Sequence, residues 1–324
     1  MQYTQIRPRR KTPATDSRIY ADLDGLVRLQ FKAQGFNFLP RQPVHSLLNG
    51  RYASRLRGRG LNFEELRSYV PGDDIRNVDW KATARAGVPH VRVYTEERDR
   101  PVWLLIDQRQ SLFFGSRERM KSITAAEAAA LAAWRALAVG DRVGAVIFND
   151  HELIEFSPHH SRGQVMRILG EVVRLNRALS AETEQAAQAG QFNAAIERVK
   201  HRAKHDCLVC SISDGFGVDD ATRRLVTQIC AHNDVMAVFV YDPLERELTD
   251  SGRLVFADAR GQIEIDSASR QLRQRFTESF EARLAWIEQL AQQHTIPLLP
   301  IHTEAPVAEQ VRDLLGYRMP AKRV

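Results

Sequence analysis

Three cysteines in 324 residues, Cys207, Cys210 and Cys230, are too few and too scattered to build a disulfide framework. Long apolar runs are missing too. The longest stretch, Ala125 to Val139, is interrupted by Glu127 and Arg135 and falls short of the roughly 18–20 apolar residues that a membrane span needs. No membrane span is expected. The basic N-terminus has no apolar segment or small-residue cleavage site behind it, so no secretory signal is expected and the cytoplasm is the expected location. A G-x-S-x-G elbow, an H-E-x-x-H helix and a G-x-x-x-x-G-K phosphate loop are all absent, which removes the common hydrolase, metalloprotease and nucleotide-binding signatures.

What is present is an ordinary globular composition, 44% hydrophobic and 27% charged, in a chain long enough for one large domain and a smaller one. The net charge of +6 is unevenly spread. Residues 1 to 60 hold 12 Lys/Arg against 3 Asp/Glu, whereas residues 61 to 100 hold 7 against 8. Arg7, Arg9, Arg10 and Lys11 form one basic cluster; Arg51, Arg55, Arg57 and Arg59 form another among glycines. Such clusters bind phosphates electrostatically, without reading sequence. They lack the aromatic interleaving used for base stacking, which favours a solvated arm over a nucleic-acid site.

From residue 102 strands and helices alternate. Val102 to Asp107 and Asp206 to Ser213 have the continuous apolar character of buried parallel strands, and the Ala-rich segment from about Arg117 to Val139 is a helix ended by Gly140. Arg142 to Phe148 and Glu152 to Phe156 form a hairpin expected to turn tightly at Asn149-Asp150. Helices are expected at about 161 to 177, 192 to 203, 218 to 232, 268 to 293 and 305 to 315. Further strands are expected at Val235 to Tyr241 and Ile296 to Ile301, with a small hairpin around Arg260-Gly261. The alternation implies an α/β sandwich, with crossover helices on both faces of a mostly parallel sheet. Ligands of such sheets sit at the carboxyl ends of the central strands. Asp107 and Asp214 end two of them, with Ser111 and Ser213 nearby, so that carboxylates and hydroxyls could hold a hard cation such as Mg²⁺.

The order of elements, the Asp107-x-x-x-Ser111 loop and the Ser213-Asp214-Gly215 corner resemble a von Willebrand factor A domain. That resemblance implies a Rossmann-type, mostly parallel sheet with a metal-ion-dependent adhesion site. A second set of residues is more specific: Phe63 to Arg67, Tyr69 to Arg76, Asp79 to Arg85 and Glu96 to Arg100. Together they resemble the signature of the bacterial family known as domain of unknown function 58, over roughly residues 40 to 300. The implied organisation is a basic arm over 1–37, a smaller β-containing signature subdomain over 38–100 and an A-type domain over 101–318. Long members of that family carry membrane helices ahead of the block, and this chain resembles a short, soluble version. Members are typically encoded beside MoxR-type AAA+ ATPases and other A-domain proteins. The resemblance therefore implies a non-catalytic adaptor that binds such an ATPase and its client.

The adhesion-site pattern is broken at two places. Arg109 stands where a serine hydroxyl is expected, and a guanidinium has no lone pair for a metal. Gln191, in Gly190-Gln191-Phe192-Asn193, stands where a threonine is expected. Asp107, Ser111 and Asp214 remain as metal ligands; the expectation is weak or no Mg²⁺ binding, with Arg109 neutralising Asp107 and Asp214 as a fixed cation. Asp107, Arg109, Ser111, Gln191 and Asp214 are then candidates for a partner-binding rim, where Arg109 would meet a partner carboxylate. The signature block supplies a second candidate surface. Pro71-Gly72 suits a tight turn, Asp73, Asp74, Arg76 and Asp79 offer opposite-charge pairs with their neighbours, and Trp80 is either an interface anchor or a core residue. The alternative function is anion or nucleic-acid binding through Arg51, Arg55, Arg57 and Arg59. A Mg²⁺-dependent hydrolase at Asp107/Asp214 is disfavoured, because no general base or nucleophile accompanies the carboxylates. Cys207 and Cys210 have half the spacing pattern of a zinc site but point to opposite faces of a strand. His201 and His205 lie in a basic helix end, and His159-His160 lacks a carboxylate orienter.

Overall fold

A computed structural model describes residues 16–34, 61–70, 73, 75–96, 100–181, 187–248, 253–258, 261–267 and 269–315. The chain forms two compact units, residues 41–99 and an α/β unit that joins residues 1–40 to 100–324. Pro71, Gly72 and Asp74 and both basic clusters, including Arg51, Arg55, Arg57 and Arg59, lie outside the described residues.

The first described element is α1, Leu23–Arg28, begun by Asp22, whose side chain accepts from the Gly25 N–H. In the smaller unit, β1 (Leu61–Ser68) pairs antiparallel with β2 (His90–Glu96), with a register shift between Phe63 and Glu65. Between them runs α2, Trp80–Ala86. Asp79 caps it by accepting from the Lys81 and Ala82 N–H groups, and Gly87 ends it at φ 71°, a left-handed value that suits glycine. Arg67 grips Asp73 through two hydrogen bonds of 2.8 and 2.7 Å. Trp80 is 68% exposed, as the first residue of α2, and so is not a core residue of this unit.

The α/β unit is built on a six-stranded sheet whose strands are β3 (Pro101–Asp107), β4 (Arg142–Phe148), β5 (Leu153–His159), β6 (Leu208–Ser213), β7 (Asp234–Tyr241) and β10 (Leu298–His302). The spatial order is β10-β7-β6-β3-β4-β5; only β5 is antiparallel to its neighbour. A separate antiparallel pair, β8 (Arg253–Asp258) and β9 (Gly261–Asp266), lies between β7 and β10 in the chain. The helices are α3 (Lys121–Ala138), α4 (Arg162–Arg177), α5 (Ala189–Arg202), α6 (Asp220–Cys230), the single turn α7 (Pro243–Arg246), α8 (Arg270–Gln293) and α9 (Val307–Leu314).

Side-chain alternation divides the core in two. Val102, Leu104 and Ile106 of β3 face the cluster containing α3, α4 and α9, whereas Trp103 and Leu105 face the cluster containing α5 and α6. Both faces of the central strands are therefore covered, which is why they read as unbroken apolar runs. Cys207 and Cys210 obey the same rule, buried in opposite clusters, and burial pushes the Cys210 thiol up to about 12. Alanines on α3, such as Ala125, Ala129 and Ala133 at 0% exposure, let this helix lie close against the sheet. No helix among the described residues is long and apolar enough to cross a membrane.

Three expectations need correction. The β4–β5 connection is a four-residue loop, not a two-residue turn, and Asn149 and Asp150 do not have positive φ. The Asn149 side chain closes it by accepting from the N–H groups of His151 and Glu152, each at 2.8 Å. Helix α5 begins at Ala189, so Gly190 and Gln191 lie in its first turn, not in a preceding loop. Residues 16–34 are not a solvated arm: Ala21, Leu26 and Ala33 are buried in the α3/α4 cluster. The Ala21 N–H donates to Asn176 Oδ1 at 2.7 Å, and Trp134 Nε1 donates to the Leu26 carbonyl at 3.0 Å.

A partly open apolar pocket of about 90 Å³ lies beneath α6 and α8, over a floor of Ser211 and Ala237 and walled by Val226, Ile229, Trp286 and Leu290. Paired in register on β6 and β7, the two floor residues are too small to fill it. Ala237→Val is expected to raise stability by about 0.5–2 kcal/mol, as cavity-filling changes commonly do. An unchanged or lower urea midpoint would show that the void closes by itself.

Candidate functional site

The strand order reverses between β3 and β6, so the loops after their carboxyl ends diverge and leave the place where such sheets bind ligands. Asp107 ends β3 and Asp214 follows β6. Both carboxylates are buried, at 0% and 1% exposure.

Asp107 is filled by donors from its own chain. Arg109 donates through its backbone N–H at 3.0 Å, through Nε to both oxygens at 3.0 and 3.1 Å, and through Nη2 at 2.7 Å. Ser213 Oγ adds a fourth group at 2.7 Å. Arg109 is itself 0% exposed, and its remaining donors reach the carbonyls of Gln188 at 3.2 Å and Phe216 at 3.0 Å. Burial, opposed by the Arg109 charge, pushes the Asp107 carboxyl up. The expected pairing of Arg109 with Asp107 is present. With its side chain 0% exposed and turned onto Asp107, Arg109 presents no donor at the surface to a partner carboxylate, and this corrects the expectation that it would meet one.

Asp214 has a different main counter-ion. Lys121 Nζ, at the start of α3, donates to Asp214 Oδ2 at 3.1 Å and to Glu245 Oε1 at 2.9 Å. Ser111 Oγ and the Phe216 N–H donate to Asp214 Oδ1 at 3.3 and 3.0 Å. Arg283 of α8 reaches Glu245 at 3.4 Å. Burial alone would raise the Asp214 carboxyl; the charges of Lys121, Arg109 and Arg283 hold it down to about 2. Lys121, equally buried, is raised by Asp214 and Glu245 against its own desolvation.

The neighbouring loops are tied in the same way. Asp150 accepts from the N–H groups of Gln110 and Gln188, joining the loops after β3 and β4 to the entry of α5. Asp242, after β7, accepts from the Ser116 N–H at 2.9 Å, Thr303 Oγ1 at 2.7 Å and the Leu244 N–H at 2.9 Å. Gln191 Nε2 makes only a long bond, 3.4 Å, to the Asp150 carbonyl. The result is a knitted set of loops whose carboxylates all serve internal donors.

Mg²⁺ does not fit this donor set. A hard dication needs about six oxygens with free lone pairs, while the oxygens of Asp107 and Asp214 already accept eight hydrogen bonds and face two cations. Asp107, Ser111 and Asp214 are thus brought together, but as acceptors and donors of one another's network. Among the described residues no group of three or more His, Cys, Asp or Glu side chains is placed to share a metal. Asp107, Arg109 and Asp214 are too buried to touch a partner, whereas Ser111 and Gln191 are half-buried at the rim. In the smaller unit Asp73 pairs with Arg67, Asp79 caps α2, and Arg76 and Trp80 are exposed.

Sequence reasoning missed Lys121, Glu245, Arg283, Asp150 and Asp242. One signal for Lys121 was available: a cation in the first turn of a helix opposes the helix dipole and calls for a fixed carboxylate nearby.

The fold and the signature block together place the chain in a family: it belongs to the one described as protein of unknown function DUF58, whose model matches residues 65–285. It is 30% identical over 313 residues to the uncharacterized proteins Rv1480 of Mycobacterium tuberculosis and Mb1516 of Mycobacterium bovis, covering 95% of this chain and 96% of each relative. Among solved structures it is similar to the conserved hypothetical protein BatB from Bacteroides thetaiotaomicron, at 10% identity and a TM-score of 0.39, over 66% of this chain and 98% of that one. It is also similar to the SpRpn10 VWA domain, at 10% identity and a TM-score of 0.35, over 69% and 100%.

Proposed function

We propose that this protein is a non-catalytic binding module whose loop rim docks another protein, as an adaptor in a MoxR-type AAA+ ATPase system. The observation that carries the reading is the saturation of Asp107 and Asp214 by Arg109, Lys121 and Ser213, which leaves neither a free base nor a metal seat at the place where such sheets usually act. In the terms of the A-domain resemblance the site is a degenerate metal-ion-dependent adhesion site, with cations of the chain's own in the metal's stead. Binding then falls to the exposed residues around it, Ser116, Arg117, Glu118 and His151. Arg117 projects with 70% of its side chain exposed and pairs only loosely with Glu304, at 3.4 Å. Trp80, exposed at the start of a capped helix, supplies a second anchor of the kind that dominates interfaces. The ATPase or its client is the partner that the family resemblance suggests.

The test is co-purification with the MoxR-type ATPase encoded nearest the gene. Arg117→Glu and Trp80→Ala are each expected to weaken association about tenfold or more, the loss typical of an interface anchor. Undiminished binding by both variants, or no association with the intact chain, would remove the proposal.

A further inference from the structure

We infer that the pocket holding the Arg109 head group is a guanidinium-recognition site, occupied in the intact chain by the chain's own arginine. Three rings surround that group: the Arg109 guanidinium carbon lies 5.5 Å from the centroid of Phe148, 5.4 Å from Phe192 and 5.8 Å from Phe216. Each distance is within the roughly 6 Å over which a ring face attracts a cation. The in-plane N–H groups meet oxygen only, at Asp107 and at the carbonyls of Gln188 and Phe216. Ring faces around the cation and oxygens at its donors are what a planar, weakly hydrated guanidinium requires. They are wrong for Mg²⁺, which takes an octahedral shell of oxygens and gives up its water reluctantly. An ammonium would satisfy the charge but not the fork of donors.

The pocket draws its parts from four places in the chain: the end of β4 (Phe148), the start of α5 (Gln188 and Phe192), the end of β3 (Asp107) and the loop after β6 (Phe216). One organic cation therefore fastens four loops, and their assembly does not depend on divalent metal. The inference stands on these contacts alone, whether or not a partner docks on the rim.

Removal of the arginine side chain tests it. Arg109→Gly leaves Asp107 buried without its counter-charge, which is expected to lower the melting temperature by roughly 6–20 °C. Methylguanidinium chloride at about 10 mM, too dilute to denature, is expected to restore a large part of that loss by binding the folded state. Magnesium chloride at equal ionic strength is expected to restore none, and neither salt nor chelator moves the intact chain. Rescue by magnesium, equal rescue by both salts, or rescue by neither overturns the inference. A second pair of variants decides the matter if Arg109→Gly does not fold. Phe216→Tyr keeps the ring face and is expected to melt like the intact chain, whereas Phe216→Leu keeps only apolar bulk and is expected to lose about 1–5 °C. Equal melting of these two variants would show that the rings do not recognise the cation.

Discussion

Lys121→Met will destabilise the α/β unit by about 3–5 kcal/mol, the cost of breaking a buried ion pair from one side. Methionine matches the unbranched stem of lysine and fills irregular space well, so the loss will not come from a cavity. What it removes is the cation that Asp214 Oδ2 meets at 3.1 Å and Glu245 Oε1 at 2.9 Å, both with little access to water. Asp214 retains Ser111, the Phe216 N–H and the lesser influence of Arg109 and Arg283, and at 1% exposure these make good only part of what Lys121 supplies. Glu245 suffers less, because Arg283 reaches it and its other oxygen accepts from the Asp242 N–H. Glu245→Gln should accordingly cost less than Lys121→Met, and the double variant should show non-additivity of about 0.5–3 kcal/mol, as for residues sharing one network. Urea unfolding with an unchanged slope is the measurement. A loss below about 1 kcal/mol for Lys121→Met would mean that water enters the cluster and screens it.

How much of this was legible beforehand depends on the range of the interaction. The β3 and β6 runs, the helical periodicities and Gly140 at the end of α3 are local signals, and the elements fall within a few residues of where they are expected. The carboxylates at strand ends were legible because parallel sheets place their sites there. The identity of their counter-ions was not: the Lys121–Asp214 and Lys121–Glu245 pairs join residues 93 and 124 positions apart, and nothing in either local pattern announces the other. Arg109 could be assigned to Asp107 because they lie only two positions apart. The aromatic surroundings of Arg109 could not, because Phe148, Phe192 and Phe216 come from three separate elements. Composition also misled at the N-terminus. The charge excess of residues 1–60 hides the apolar positions Ala21, Leu26 and Ala33, which with Leu23, Val27 and Leu29 dock residues 16–34 on the helical layer.

The same cluster sets how the fold meets acid. Asp214 is held at about 2 in the folded chain, below its ordinary 3.8, so the unfolded chain binds its proton first as pH falls. The stability this carboxylate supplies is complete above about pH 4 to 5 and is lost as pH falls through about 2; a shift of this size corresponds to about 2–3 kcal/mol. Asp107 acts with the opposite sign and in a higher interval: burial raises it, so the folded chain takes up its proton more readily than the unfolded one, and the stability this gives is complete below about pH 4 and lost as pH rises through the raised value. Lys121, raised by its carboxylates, contributes fully below its ordinary 10.5, and that contribution is lost only when pH climbs beyond it. The two carboxylates are separated by substitution. Asp214→Asn should lower stability at neutral pH and reduce the slope of stability against pH between about 2 and 4, whereas Asp107→Asn should leave that interval nearly unchanged and act above about pH 4, where it removes a loss of stability with rising pH. In Lys121→Met the Asp214 carboxylate loses the largest of the charges that hold it down, so the deficit at pH 7 should shrink on acidification towards pH 4 as a proton replaces the missing cation. A deficit that stays constant over that interval would place its origin in packing, and the ion cluster would no longer account for the stability of the carboxyl end of the sheet.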